Sequence, residues 1–144
     1  RWLTRGTVLG IDLSPIVRIE GVITLTGDIA DREIRSEARN LLGVVNVVTS
    51  DAAPKLSGHK SYDQARSIAL GEDALSFACE VLKPGGNFVA KAFQGEDFQQ
   101  LYREVQDHFL SVRTFKSSVS RKGSAEIYII GKNHVSMHET EGSI

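Results

Sequence analysis

A largely parallel α/β sheet is the fold class that this sequence predicts, on three observations. Short apolar runs alternate along the chain with segments whose apolar residues recur at helical spacing. The runs are apolar on nearly consecutive positions, as in strands covered on both faces. Aspartates stand at or just past the ends of three of them, Asp12, Asp28 and Asp51, where such sheets bind their ligands.

The elements follow in order. Val8-Leu9-Gly10-Ile11-Asp12 is a buried strand, and Ser14-Pro15 begins the loop after it. Residues 21–26 form a second strand, closed by Gly27-Asp28. From residue 31 to 42, Ile34, Ala38, Leu41 and Leu42 recur at helical spacing and Gly43 supplies a stop. Residues 44–50 are β-branched and apolar, a strand ending at Asp51. Residues 52–61 carry Pro54, Gly58 and cationic groups, hence a loop. A long helix over 62–82 packs through Ile68, Leu70, Leu75, Ala78 and Leu82, and Lys83-Pro84-Gly85-Gly86 breaks it sharply. A buried strand over 87–93 and an amphipathic helix over 97–109 come next. Strands over 112–117 and 126–130 close the sheet around a loop at 118–124. One domain over 1–132 and a polar, frayed tail over 133–144 are expected.

Composition bounds the function. The 144 residues are 41% hydrophobic and 24% charged, with a net charge of −1. No global cationic field draws such a chain onto nucleic acid, so an RNA site must be a local patch. The one cysteine, Cys79, fits a reducing compartment and reads as a small core residue. No apolar run approaches the ~20 residues that span a bilayer, and no signal-peptide core follows Arg1-Trp2-Leu3. These features predict a cytoplasmic, soluble monomer.

Three carboxylates on one rim repel unless something uses them. An acid just past a strand is the usual grip on ribose hydroxyls, since a carboxylate accepts two hydrogen bonds at once. Asp12 is the candidate for that role, Asp28 for an adenine amino group, and Asp51 for the reacting end of the ligand. The alternative for each is helix capping. Lys91 is the sharper signal, because it interrupts the apolar run Asn87-Phe88-Val89-Ala90-Lys91-Ala92-Phe93. A buried lysine is rare unless paired. Desolvation and neighbouring charge are expected to lower its pKa until the neutral amine can accept a proton. Glu126 opens the last strand and is its expected partner; a purely structural ion pair is the alternative.

These residues carry a resemblance. Asp51-Ala52-Ala53-Pro54, then Leu82-Lys83-Pro84-Gly85-Gly86 running on to Lys91-Ala92-Phe93-Gln94-Gly95, then Ser120-Arg121 with Glu126-Ile127-Tyr128, resembles the FtsJ (RrmJ) family of heat-shock ribosomal RNA methyltransferases. The match extends from about Val8 to Lys132. It implies a Rossmann-like class I fold that binds S-adenosylmethionine and methylates an RNA ribose 2′-hydroxyl, on a uridine of large-subunit rRNA. No metal is implied. Asp51, Lys91 and Glu126 match three members of the family's Lys-Asp-Lys-Glu tetrad. By that resemblance Lys91 helps deprotonate the hydroxyl and holds the oxyanion, Glu126 orients Lys91, and Asp51 positions hydroxyl and cofactor. Asp12 and Asp28 match the family's acids for the cofactor ribose and adenine.

The departures are specific. The tetrad's first lysine, the first strand and its glycine-rich turn have no counterpart here, Trp2 stands too close to Asp12 for the family spacing, and Lys55 replaces an asparagine. That first strand is central in this fold, so without it two strand edges are open unless the strands ending at Asp12 and Asp51 meet directly. Residues lying outside the sequence are the favoured explanation. A chain physically this short is expected to bind the cofactor weakly.

Lys55, His59, Lys60 and Arg66 follow Asp51, while Lys116, Arg121 and Lys122 precede Glu126. They are expected to contact phosphates, with Tyr62 stacking on a base. Ordinary solvated charges, and Tyr62 packing at the helix start, are the alternative. His134 and His138 have a metal-pair spacing but no third ligand, so no metal site is expected. Two other functions fit the same residues: a tRNA or mRNA-cap ribose methyltransferase, and a non-catalytic RNA-binding or ribosome-assembly module.

Overall fold

A computed structural model describes residues 6–116 and 125–135. The chain divides into two compact units, Arg1–Val44 and Val45–Ile144.

In the first unit, strands β1 (Val8–Asp12) and β2 (Val22–Thr26) pair in parallel, with Asp12 opposite Thr26. Helix α1 (Arg32–Leu42) follows, with Glu33 in its first turn and Arg39 in its last, each matching the sign of the helix dipole there. Gly43 ends it at φ +66, its N–H bonding the Arg39 carbonyl at 2.7 Å, a left-handed turn that glycine adopts without strain.

The second unit runs β3 (Val45–Ser50), α2 (Lys60–Val81), β4 (Leu82–Phe93), α3 (Phe98–His108), β5 (Phe109–Phe115) and β6 (Glu126–His134). Its sheet has the order β3-β4-β6-β5. The crossover through α2 makes β3 and β4 parallel, while β6 is antiparallel to both its neighbours. The sheet is therefore mixed, not largely parallel as the alternation suggested. Among the described residues β1 pairs with β2 alone. β3 is not covered on both faces. It is an edge strand among the described residues, with Val47 53% exposed.

β4 alternates strictly beyond Gly86. Phe88, Ala90 and Ala92 turn to α2 and α3, whereas Asn87, Val89, Lys91 and Phe93 occupy the other face. Ile68, Leu75 and Ala78 of α2 and Leu101 and Val105 of α3 complete the core, with Ile129 of β6. The two helices approach closely at Gly71, where an added Cβ would lie 2.8 Å from the Leu101 side chain. Gly131 of β6 likewise leaves room for the Phe109 ring, which stacks on Phe88 at 5.9 Å between centroids.

Four boundaries differ from the sequence reading. Helix α2 starts at Lys60, because Asp63 in its first turn captures the preceding loop. Lys83-Pro84-Gly85-Gly86 does stop that helix, yet β4 already begins at Leu82. The extra residues are absorbed as an irregularity, with Val45 opposite Leu82 and Val47 opposite Asn87. β5 starts at Phe109, whose ring belongs to the core. β6 continues to His134, so Asn133 and His134 are strand residues and not the start of a frayed tail. His134 is buried against Phe109, with rings 5.4 Å apart. Cys79 is half-buried against the core, and burial pushes its thiol up to about 11, so the thiolate is scarce at neutral pH. Trp2, His138 and residues 118–124 lie outside the described residues.

Candidate active site on β3, β4 and β6

The ladder register builds this site. Ser50 pairs with Ala90, so the next residue on each strand brings Asp51 alongside Lys91. Across the other edge of β4, Lys91 stands opposite Tyr128 and Phe93 opposite Glu126. Directly opposed residues share a face of the sheet, and so do residues two apart on one strand. Asp51, Lys91, Tyr128 and Glu126 therefore come together from three neighbouring strands.

The distances are those of a charge cluster. Lys91 Nζ lies 3.3 Å from Asp51 Oδ1 and 3.7 Å from Glu126 Oε1. The Lys91 side chain is only 14% exposed, against 75% for Asp51 and 43% for Glu126. A shielded cation is thus flanked by two carboxylates that stay hydrated.

The direction of the Lys91 pKa reverses the expectation from sequence. Desolvation is the largest single influence and pulls it down. The hydrogen bond and charge of Asp51, the charge of Glu126 and the neighbouring Tyr128 together outweigh that and hold it above the usual lysine value. The physical reason is that burial is partial while both neighbouring charges are opposite in sign. At neutral pH the amine is an ammonium ion.

Tyr128 was missed as a site residue. Its hydroxyl donates to Asp51 Oδ1 at 3.2 Å, and the Asp51 charge, then burial, raise its pKa. The period-two spacing of Glu126 and Tyr128 on one strand was the available signal.

Behind the site, β3 has ended where β4 continues, so the Phe93 N–H would lack a ladder partner. The Ser67 hydroxyl of α2, 2% exposed, accepts it at 2.9 Å. Ser67→Ala is expected to destabilise the protein by about 1–3 kcal/mol, the cost of an unsatisfied buried donor, measured by urea denaturation. Gln64, also buried, packs against Gly95, where a Cβ would meet its side chain at 2.6 Å. With its amide turned to suit, Gln64 donates to Asp97 Oδ2 at 3.2 Å and accepts the Asp97 N–H at 3.1 Å.

The loop after Asp51 is tied down from α2. Both carboxylate oxygens of Asp63 accept the Ser57 N–H, at 3.0 and 3.1 Å, and the Ser57 hydroxyl accepts the His59 N–H at 3.1 Å. The Ser57 hydrogen bonds foremost, against some opposing desolvation, hold the Asp63 pKa below 3.8. A depressed carboxylate pKa contributes stability that is present above the unfolded-state value and lost as pH falls through the folded one. Asp63→Asn is therefore expected to speed hydrogen exchange of the Ser57 amide at neutral pH. Wild-type protein shows the same loss of protection, relative to the intrinsic exchange rate, only in acid, as the pH falls through the depressed Asp63 value.

Lys55, Lys60, Tyr62 and Arg66 are all exposed on this loop and the first turns of α2, and Lys116 is exposed after β5. Tyr62 is 55% exposed, so it does not pack at the helix start. Arg121 and Lys122 lie outside the described residues. In the first unit, Asp12 ends β1 and Asp28 stands two residues past β2. Each is exposed and closes a local turn, Asp12 Oδ1 accepting the Ser14 N–H at 3.0 Å and Asp28 Oδ1 the Ala30 N–H at 2.9 Å. Neither caps α1, whose N-cap is Asp31. Among the described residues, no group of three His, Cys, Asp or Glu could hold a metal, and no helix is long and apolar enough to cross a membrane.

Comparison with known proteins adds three findings. The sequence profile described as FtsJ-like methyltransferase matches residues 2–134. The chain is 62% identical over 133 residues to the ribosomal RNA large subunit methyltransferase E of Methanoregula boonei, covering 92% of this chain and 69% of that protein. To the protein of the same name from Methanosphaerula palustris it is 54% identical over 145 residues, covering 100% of this chain and 71% of the relative. Among solved structures, a ribosomal RNA methyltransferase from Plasmodium falciparum superposes with a TM-score of 0.82 at 24% identity, over 92% of this chain and 74% of that one. Human methyltransferase-like protein 13, in complex with SAH, gives 0.61 at 9% identity, over 91% and 63%. The two structures show the fold, Rossmann-like and of the methyltransferase type.

Proposed function

Because the chain belongs to the FtsJ-like methyltransferase family, we propose that it transfers a methyl group from S-adenosylmethionine to a ribose 2′-hydroxyl of RNA. The substrate we propose is a uridine of large-subunit ribosomal RNA; the names of the relatives from Methanoregula boonei and Methanosphaerula palustris give the large-subunit ribosomal RNA. The observation that carries this reading is a mostly buried ammonium ion, Lys91, held between Asp51 and Glu126.

The cofactor is supported by donor chemistry. Asp12 and Asp28 are exposed carboxylates past parallel strands, each with one oxygen in a local turn and a second suited to a ribose hydroxyl or an adenine amino group. In the second unit, Asp51 is the carboxylate next to the amine. When bound, S-adenosylmethionine supplies an electrophilic methyl group on a sulfonium. Lys91 Nζ donates to the 2′-oxygen and stabilises the negative charge that develops there. Glu126 fixes the direction of the amine, and the Tyr128 hydroxyl fixes Asp51. The hydroxyl proton departs through Asp51, whose exposure connects it to solvent. Holding nucleophile and methyl in line provides the rest of the acceleration.

Lys55, Lys60, Arg66 and Lys116 would contact phosphates, with Tyr62 against a base. We take the protein to act as a cytoplasmic monomer on the assembling large subunit. The test is incubation with labelled S-adenosylmethionine and total RNA, followed by mapping of labelled nucleotides. Label on the ribose of one large-subunit uridine is expected. Label confined to tRNA or cap ribose would change the substrate, and absence of label would leave a non-catalytic RNA-binding module.

A further inference from the structure

The buried face of α2 changes character along its length. Ile68, Ala74, Leu75 and Ala78 are apolar and join the core, whereas Gln64 and Ser67, which precede them at helical spacing, are polar and also buried. The change falls where the sheet changes. β3 ends at Ser50, opposite Ala90, so among the described residues Lys91, Ala92 and Phe93 keep a ladder partner in β6 alone. From there the backbone is held by other means. The Ser67 hydroxyl accepts the Phe93 N–H at 2.9 Å, and the Gln94 N–H donates to the Ala125 carbonyl at 2.8 Å. The Gln64 amide then bonds Asp97 twice, donating to Oδ2 at 3.2 Å and accepting the N–H at 3.1 Å. Gly95 permits this approach, since a Cβ there would lie 2.6 Å from the Gln64 amide carbon. Asp97 precedes α3 at its N-cap, yet its side chain caps no N–H of that helix.

Replacing both partners of a buried hydrogen bond by apolar groups of the same shape costs a protein little. What the bond adds is direction, because it constrains angle as well as distance. We propose that Gln64 and Ser67 are positioning residues for methyl transfer, fixing the end of β4 so that the Lys91 ammonium stays between Asp51 and Glu126. Both act through backbone that leads away from Lys91, at Phe93 and Asp97, and neither touches the reacting atoms. Asp51 follows β3 and Glu126 belongs to β6, so a loosened end of β4 displaces the amine relative to both carboxylates. A misplacement of about 1 Å costs up to about a hundredfold in rate. The inference rests on the activity proposed above and extends it to residues that hold the catalytic strand.

The test pairs transfer kinetics with the mobility of the Lys91 ammonium, read at neutral pH by nitrogen-15 relaxation of Nζ. Gln64→Met fills similar space without either bond. It is expected to lower kcat by about tenfold to a hundredfold, to leave the RNA KM and calorimetric S-adenosylmethionine affinity unchanged, and to make the ammonium more mobile. Ser67→Ala is expected to act in the same direction. Gln64→Glu sets two carboxylates against each other and also lowers kcat. Adding Asp97→Asn restores two bonds, because the new carboxylate accepts from both the side-chain amide and the N–H at position 97. That double variant should return kcat and the Lys91 signal to wild type. If the single variants only lower the thermal midpoint, with kcat and the Lys91 signal unchanged where all are folded, the positioning role is overturned and the activity stands. If wild-type protein transfers nothing, but Lys91 loosens in Gln64→Met and is fixed again in the double variant, the positioning survives and the activity fails.

Discussion

Lys91→Ala is expected to reduce methyl transfer by at least about a thousandfold, the scale of losing a positioned donor at a developing oxyanion. Cofactor affinity should be unchanged, because the acids proposed for the ribose and adenine are Asp12 and Asp28. Folding should survive too. With the amine gone, Asp51 and Glu126 face one another, but at 75% and 43% exposure both remain hydrated. Transfer of labelled methyl separates the two effects from binding measured by calorimetry; retained transfer would remove Lys91 from the mechanism. The pH profile then distinguishes two roles for it. Since the Lys91 pKa is held above 10.5, its proton stays bound through neutral and mildly alkaline conditions. A rate that depends on the ammonium form is flat from neutrality to about pH 9 and falls only as the amine titrates. A rate that depends on the free amine climbs about tenfold per pH unit over the same range. The flat profile is expected. Stability follows the same sign: the contribution of Lys91 is complete below the unfolded-state value of about 10.4 and is lost as pH rises through the folded one.

The largest effect on stability is expected from Phe88→Ala, a loss of about 3–5 kcal/mol. Phe88 is fully buried in β4, with β3 on one side and β6 on the other, and its ring stacks on Phe109. Removal leaves a cavity that rigid neighbours cannot close. Gly131 has no side chain to move into it, and an added Cβ there would already lie 2.7 Å from the Phe109 ring. Against a total of roughly 5–15 kcal/mol, such a loss approaches global unfolding. For a domain of this size the thermal midpoint should fall by roughly 15–30 °C. Thermal unfolding followed by circular dichroism checks this, and Phe88→Leu, which keeps most of the volume, should cost far less. A drop of only a few degrees in the alanine variant would show that the sheet closes over the void.

Both residues were legible before the structure, for different reasons. Lys91 stood out because one charge breaks an apolar run, and Phe88 because that run had to be a covered strand. Glu126 was legible as a partner from its place at the start of the last strand, but Asp51 was tied to Lys91 only through motif resemblance, since periodicity cannot tell which distant strands become neighbours. Tyr128 was overlooked for that reason: its place beside Asp51 depends on the register of β3, β4 and β6 together. The direction of the Lys91 pKa was misjudged because sequence reports that a lysine lies among apolar residues and not how open its two acids are. Local chemistry located the end of α2 at Pro84 and the glycines, but not the pairing of Leu82 with Val45, which rests on contacts between chain segments. The same applies to Phe109 and His134. Each reads as a boundary residue in one dimension, and each is buried against the other in three.

β4 holds Phe88 and Lys91 three positions apart on opposite faces of one strand. Catalyst and keystone thus share a single rigid beam. Repacking the interior should detune the amine before the molecule comes apart, and heat should extinguish turnover in the same step that melts the sheet. Laboratory evolution of this enzyme would find little freedom along that beam. New substrate preferences would have to arise on the outer strands, where a change of side chain disturbs neither partner.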